Sequence, residues 1–146
     1  MIDFYTSYYA NYENIPKNYI CVPISRVVPD GFSDYPNITI IKDNFIAPDD
    51  NLLFDYKNGR IDEIEYKKRY INKICTYINS CDRFNDLFDW AKAVDKHYGD
   101  EYDGIVFLCY EKPGDFCHRH IFSKLLNLYG IECKEFKIDN KNDALF

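Results

Sequence analysis

Long apolar runs are missing from this 146-residue sequence, and a membrane-spanning helix needs about 20 consecutive apolar residues. We therefore expect no such helix. The N-terminus, beginning Met1, Ile2, Asp3 and Phe4, also lacks a basic region followed by an apolar stretch, so no secretory signal is expected. The expected compartment is the cytoplasm, either of the protein's own cell or of an infected host.

Surplus positive charge is also missing. The chain has 18 Lys and Arg residues against 24 Asp and Glu residues, which gives a formal net charge of −6. Nonspecific binding to nucleic acid needs clustered basic side chains, so we expect no general nucleic-acid binding. A single basic pocket for a small anion remains compatible with this balance. Nothing in the sequence indicates the oligomeric state.

Several sequence motifs are absent as well. The chain has neither of the glycine-rich phosphate loops, G-x-x-x-x-G-K and G-x-G-x-x-G, and no G-x-S-x-G nucleophile turn. No cofactor is therefore expected. The six cysteines include no C-x-x-C pair, which disfavours a structural zinc site. In a cytoplasmic chain of this size, free buried thiols are the expectation.

The residues that are present predict an α/β fold. Apolar, β-favouring runs alternate with helical patterns, which is typical of a single domain with a mostly parallel sheet of about 4–5 strands. We expect residues 1–146 to form one Rossmann-like three-layer domain with flanking helices. The predicted strands cover residues 4–7, 18–24, 104–110 and 131–138, with a further short edge strand at 37–41.

Three helices are predicted, at residues 62–79, 82–98 and 117–129. Asp82 is the expected N-cap of the second helix, and Gly99 its stop. Trp90 is expected to pack in the core. Residues 42–60 look like an irregular excursion, and residues 139–146 like a polar tail. The apolar stripe of the first helix is expected to consist of Ile64, Ile71, Ile74, Cys75 and Ile78.

Titratable residues cluster between the strand at 104–110 and the helix that follows it. In an open parallel sheet, ligands bind beyond the carboxyl ends of the strands. The helix N-terminus offers unpaired backbone N–H groups and a positive dipole end, and Arg119 adds a fork of donors. An anion such as phosphate or carboxylate is therefore the expected ligand. The cluster consists of Glu111, Cys117, His118 and Arg119.

Each of these residues has a chemical role and a plainer alternative. Cys117 is a candidate nucleophile, redox thiol or metal ligand, because a helix N-terminus beside His118 and Arg119 should lower its pKa; alternatively it merely begins the helix. His118 is a candidate general acid or base. Glu111 could act as a base or orient Arg119, and Arg119 could simply clamp Glu111 and fix the loop. Cys109, inside the strand, is expected to belong to the core.

Two further kinds of site receive little support. Residues one and two apart on a helix point in different directions, so Cys117, His118 and His120 are not expected to hold a metal. A phosphatase-type loop has a cysteine followed five residues later by an arginine. Here Cys109 lies too far from Arg119 in sequence for that pattern, and Cys117 lies too near.

Residues 108–119 (LCYEKPGDFCHR) resemble the signature of the family called domain of unknown function 488. Its members have an apolar strand, a Cys or small residue, Glu, a short loop, and Cys-His-Arg opening a helix. Residues 5–7 resemble the family's first strand, residues 24–26 with Pro29 its second strand tip, and segments between 47 and 70 its middle part. The likeness thus covers most of the chain.

The resemblance implies that distant residues meet at one end of the sheet. Ser7 and Arg26 would join Glu111 and the Cys-His-Arg loop, and Ser7, Arg26 and Arg119 would bind substrate. The expected function is that of a small enzyme acting on a phosphate-bearing or nucleotide-like substrate, with Glu111, Cys117 and His118 as catalytic residues. The alternatives are a binding module that sequesters a nucleotide or signalling metabolite, or a protein–protein adaptor.

Overall fold

The computed structural model describes residues 1–137, which contain a four-stranded, all-parallel sheet in the order β2-β3-β1-β4. The predicted α/β fold with a parallel sheet and flanking helices is confirmed. The strands are β1 (Asp3–Tyr8), β2 (Tyr19–Pro23), β3 (Gly104–Cys109) and β4 (Cys133–Glu135). The α-helices are α1 (Asp50–Lys57), α2 (Glu63–Ser80), α3 (Leu87–Tyr98) and α4 (His118–Leu128).

Strand β3 is buried at every position, and its side chains alternate between two apolar clusters. Phe107 and Cys109 face the cluster built by the four α-helices, which includes Trp90 as predicted. Val106 and Leu108 face a smaller aromatic cluster on the other side, which is covered by a 3-10 helix, Tyr9–Asn14. The third layer is therefore a 3-10 helix with its surrounding loops.

The connections after β1 and β3 leave the sheet on opposite sides. Strand β1 runs directly into the 3-10 helix on the aromatic side, whereas β3 leads into α4 on the α-helical side. The two strands are hydrogen-bonded neighbours, and Tyr8 lies opposite Cys109 at their carboxyl ends. Adjacent strands whose connections diverge in this way open the crevice where ligands bind in α/β proteins. Cys109 therefore stands at the switch point of the sheet.

Two predictions for the region after β2 were wrong. Residues 37–41 do not form an edge strand, because only Ile38 forms an isolated bridge, with Cys21, and the segment then turns away. The excursion at 42–60 is not irregular throughout, since it contains α1. Leu52 anchors this helix in the core, and the backbone of Gly59 turns with a φ of 72° just after it.

The next two helices required one correction each, to the start of α3 and to the buried face of α2. The N-cap of α3 lies four residues later than expected, because Asp86 rather than Asp82 accepts a hydrogen bond from the Asp89 N–H. On α2, the tyrosines Tyr66 and Tyr70 are buried, whereas Ile64 is 77% exposed. The two tyrosines instead pack towards Phe116 and His118 beside the candidate site.

The last strand is shorter than the predicted 131–138, because β4 ends at Glu135. Gly130 has a φ of 86° just after α4, a left-handed conformation that suits glycine and ends the helix. Residue 138 and the predicted polar tail at 139–146 lie outside the described residues.

Candidate functional site

Cys117 forms the N-cap of α4 and brings its sulfur back towards the end of β3. Its backbone is extended, with φ −154° and ψ 142°, and its Sγ accepts a hydrogen bond from the Arg119 N–H at 3.5 Å. In this conformation the Cys117 Sγ lies 2.6 Å from the Sγ of Cys109. The sequence indicated the helix start correctly, but not that a second sulfur would meet it there.

Arg119 reaches back from the first turn of α4 into the protein and has no exposed surface. Its Nε and Nη2 donate to the two carboxylate oxygens of Glu135, each at 3.0 Å, and Thr6 Oγ1 donates to the same carboxylate at 2.8 Å. Its Nη1 donates to the Cys109 Sγ at 3.0 Å and to the backbone carbonyl of Glu111. The guanidinium thus connects α4, β4 and the end of β3.

The two thiols differ in how readily each loses its proton. Burial would by itself raise the pKa of Cys109, but the hydrogen bond from Cys117 and the positive charge of Arg119 outweigh it and lower that pKa. The pKa of Cys117 is raised, chiefly by its hydrogen bond to Cys109 and then by burial. Arg119 lies closer to Cys109, at 3.0 Å, than to Cys117, at 3.8 Å. A thiolate is therefore stabilised more at Cys109 than at Cys117.

His118 is buried and neutral. Its Nε2–H donates to the Ile24 carbonyl at 2.6 Å, which leaves Nδ1 as the ring nitrogen with a free lone pair. This Nδ1 lies 3.8 Å from the Cys117 Sγ. Burial is the main cause that lowers the pKa of His118 to about 4. His118 is therefore uncharged near neutral pH, and its Nδ1 lone pair lies near the Cys117 sulfur.

Arg26 lies on a separate, open part of the same end of the sheet. It pairs with Asp50 at 3.3 Å, and its side chain is 48% exposed. It lines a pocket of about 680 Å³ together with Ser25 and Lys73, which we call the Arg26 pocket. The pocket begins one residue from Ile24, whose carbonyl holds His118. Arg26 is therefore next to the buried cluster rather than in contact with Arg119.

The remaining predicted residues differ in their placement. Ser7 is fully buried, and its Oγ accepts from Asn11 Nδ2 at 3.0 Å, so its hydroxyl faces the 3-10 helix. Glu111 is half-buried, and Arg119 contacts its backbone carbonyl rather than its carboxylate. The sequence predicted that Arg119 would bind an anion directly, but in the structure its donors are directed at protein acceptors. This arrangement agrees best with the plainer alternative, in which Arg119 holds Glu111 and fixes the loop.

A thiophilic metal is one chemical use that the cluster permits. Ligand atoms of Cys109, Cys117 and His118 all lie within 4.8 Å of one another. The expectation that Cys117 and His118 would point apart was wrong, because Cys117 precedes the helix and has an extended backbone. The guanidinium of Arg119 competes with any cation for the Cys109 sulfur, at 3.0 Å.

Two members of the cluster were not predicted as site residues. Cys109 was expected to be core, and it is buried, but it also contacts Cys117 and Arg119. Glu135 gave no signal of its own, because the same short segment carries the charged residues Glu132, Lys134 and Lys137 and a local pattern does not show which of them is buried. Its partner lies 16 residues earlier and could not be identified from spacing.

Comparisons with protein-family models, with curated proteins and with solved structures gave no match. They therefore provide no evidence on the resemblance to the domain of unknown function 488 family. Within residues 1–137, none of the helices is both long and apolar enough to cross a membrane.

Proposed function

We propose that this protein is a small cytoplasmic enzyme that acts on a phosphate-bearing, nucleotide-like substrate, with the Cys117 sulfur as its nucleophile. The observation that carries this proposal is the 2.6 Å contact between the sulfurs of Cys117 and Cys109 at the switch point of the sheet. A thiol becomes a strong nucleophile when a neighbouring base removes its proton. The proton acceptors within reach of the Cys117 thiol are the Cys109 sulfur, at 2.6 Å, and the Nδ1 of His118, at 3.8 Å.

His118 supports the same chemistry from the other side. Its Nδ1 lone pair lies 3.8 Å from the Cys117 Sγ and can accept or return a proton. Glu111 is the half-buried carboxylate beside the thiols, and we assign it acid or base work on the substrate. Arg119 acts as a positioning residue in this proposal, because it holds the Cys109 thiolate and the backbone of Glu111.

The Arg26 pocket supports an anionic substrate. The Arg26–Asp50 pair is solvent-exposed, at 48% and 79% of the two side chains, and such pairs contribute little to stability. A phosphate group can therefore displace Asp50 from the guanidinium at small cost. Lys73 offers a second positive charge on the same pocket wall, where it now pairs with Asp49 at 2.9 Å. The polar end of a nucleotide would bind here, with its reacting end towards His118.

The burial of Cys117 favours the alternative function, a non-catalytic binding module, because a substrate cannot easily reach its sulfur. Cys117 is only 4% exposed, whereas the Arg26 pocket is open. The residues around the Cys117 sulfur must therefore move before a substrate can reach it. If they do not move, the pocket would bind the ligand without changing it.

The deciding experiment is incubation of the protein with a panel of nucleoside mono-, di- and triphosphates, followed by chromatography of the released small molecules. Catalysis predicts an altered nucleotide with the wild-type protein and none with Cys117→Ser or Glu111→Gln. Cys133→Ser is the matched control, because Cys133 is an equally buried thiol outside the cluster. Full turnover by Cys117→Ser would refute the assignment, and bound but intact nucleotide would establish the binding module.

A further inference from the structure

The contact between Cys109 and Cys117 has a redox consequence that does not depend on any substrate. Their Sγ atoms are 2.6 Å apart, so a covalent bond of about 2.05 Å requires a shift of only about half an ångström. Of the other four cysteines, Cys21 is buried in the aromatic cluster, and Cys75 and Cys81 are half-buried. Cys133 belongs to the same core cluster as the pair but lies on β4, where its backbone bonds to Ser123 and Asn127.

The local fold can accommodate a bond between the two sulfurs. Cys109 ends β3 and Cys117 caps α4, so the chain between them is a single loop outside both elements. Lys112 accepts a turn hydrogen bond from the Asp115 N–H at 3.0 Å, and the residues of this turn are solvent-exposed. A small movement of the loop can therefore join the sulfurs without moving the strand or the helix.

The charges around the pair favour oxidation. Arg119 donates to the Cys109 Sγ at 3.0 Å and stabilises a thiolate there, and Cys117 donates to that thiolate. Cys117 has the small solvent exposure that a compact oxidant needs, at 4%, whereas Cys109 has none. The pair thus has an accessible sulfur that can react first and an inner sulfur that can resolve the product.

We propose that Cys109 and Cys117 form a redox-active dithiol that a small hydroperoxide converts into an intramolecular disulfide. In the first step the proton of Cys117 passes to Cys109, and the Cys117 sulfur attacks a peroxide oxygen. The O–O bond breaks, leaving a sulfenic acid on Cys117 and a hydroxide that takes a proton from solvent. The Cys109 sulfur then attacks the Cys117 sulfur, the S–O bond breaks, and the hydroxyl leaves as water with the Cys109 proton.

The balance is one thiol and one thiolate oxidised by two electrons, and one peroxide reduced to two waters with one proton taken from solvent. The disulfide removes the negative charge from the Cys109 Sγ, which accepts a hydrogen bond from Arg119 Nη1. Neither sulfur can then act as a nucleophile. If the enzyme function proposed above is correct, oxidation also switches that activity off. Reduction by a dithiol would restore the starting state.

The test uses the full-length, fully reduced protein and hydrogen peroxide. After treatment, free thiols are alkylated and the digested protein is analysed by mass spectrometry. We expect a disulfide-linked peptide pair joining Cys109 to Cys117, a fall in free thiols from six to four, and recovery of all six on addition of dithiothreitol. Cys133→Ser should still form the link, and Cys117→Ser should not.

The result for the wild-type protein is sufficient to test the proposal, so a folding defect in a variant does not weaken the test. Peroxide that oxidises other cysteines first, or leaves Cys109 and Cys117 unlinked, would overturn it. Stoichiometric zinc that co-purifies with the protein and protects both sulfurs would also overturn it, in favour of a metal site. Because the measurement is covalent and uses no nucleotide, its outcome is separate from that of the enzyme proposal.

Discussion

Arg119 and Glu135 form a two-point ion pair, with Nε and Nη2 of the arginine each 3.0 Å from a carboxylate oxygen. Two parallel hydrogen bonds fix the plane of a guanidinium, which a single contact would not do. The third nitrogen, Nη1, is thereby directed at the Cys109 sulfur, 3.0 Å away. A carboxylate on the short edge strand β4 therefore orients the charge that faces the Cys109 thiol on β3, two strands away in the sheet.

Glu135→Gln is expected to destabilise the protein by about 3 kcal/mol, because it leaves the charge of Arg119 buried without its counter-ion. Arg119 has no exposed surface, and the Glu135 side chain is only 18% exposed, so water cannot replace the lost partner. The free energy of unfolding in urea measures the effect. Glu132→Gln is the control, because Glu132 is 74% exposed in its pair with Lys134 and should change stability by less than about 0.5 kcal/mol.

Arg119→Lys is expected to raise the pKa of Cys109. A lysine cannot hold the Glu135 carboxylate at two points and also reach the sulfur, so the thiolate loses its main positive neighbour. The change is measured from the ultraviolet absorbance of the thiolate as a function of pH. The same titration of Cys109→Ser is subtracted to remove the signal of the other cysteines. Arg69→Lys, which alters a half-exposed pair with Asp55, should leave the curve in place. A thiolate signal unchanged by Arg119→Lys would contradict the role of this arginine.

The sequence could predict those features that depend on neighbouring residues. The buried run of β3, the helix after residue 117 and their junction follow from local periodicity and from the parallel order of the elements. For this reason the loop at 111–119 was identified as a candidate site. Cys109 was identified as buried for the same reason, since each of its neighbours in the strand is apolar.

The features that sequence reasoning missed depend on contacts between distant segments. Glu135 meets Thr6 across 129 positions, and only the pairing of β4 with β1 brings them together. Local pattern cannot distinguish Glu135 from an exposed strand residue, because its burial is decided by Arg119. Tyr66 and Tyr70 were missed for a related reason. The predicted stripe of α2 contained only isoleucines and Cys75, whereas the Tyr70 hydroxyl donates to the Ile46 carbonyl at 2.6 Å inside the core.

Asp86→Ala is expected to cost about 1 kcal/mol of folding free energy, since it removes the N-cap of α3. The Asp86 side chain accepts from the Asp89 N–H at 3.1 Å. Asp82→Ala is the matched control, because Asp82 is exposed and lies before the helix. Thermal unfolding of the two variants measures the difference. Equal losses, or a larger loss for Asp82→Ala, would contradict the observed start of α3.

His118 should make stability depend on pH in the mildly acidic range. Burial lowers its pKa from 6.5 in the unfolded chain to about 4 in the folded protein. Between these values the unfolded state binds more protons, so stability is full above pH 6.5 and falls by roughly 3 kcal/mol as pH drops towards 4. His118→Gln should flatten this part of the curve, whereas replacement of the exposed His97 should not. An unchanged slope in His118→Gln would show that His118 is not the cause.

Asp50→Asn should tighten the binding of a nucleoside monophosphate to the Arg26 pocket by roughly fivefold, because one carboxylate in contact with water opposes an anion by about 1 kcal/mol. Arg26→Ala should abolish measurable binding, because it removes the guanidinium whose Nε now lies 3.3 Å from Asp50 Oδ1. Isothermal titration calorimetry at low salt gives both affinities. Arg60→Ala is the control, because Arg60 pairs with Asp55 outside the pocket. Binding that survives in Arg26→Ala would place the anion elsewhere on the protein.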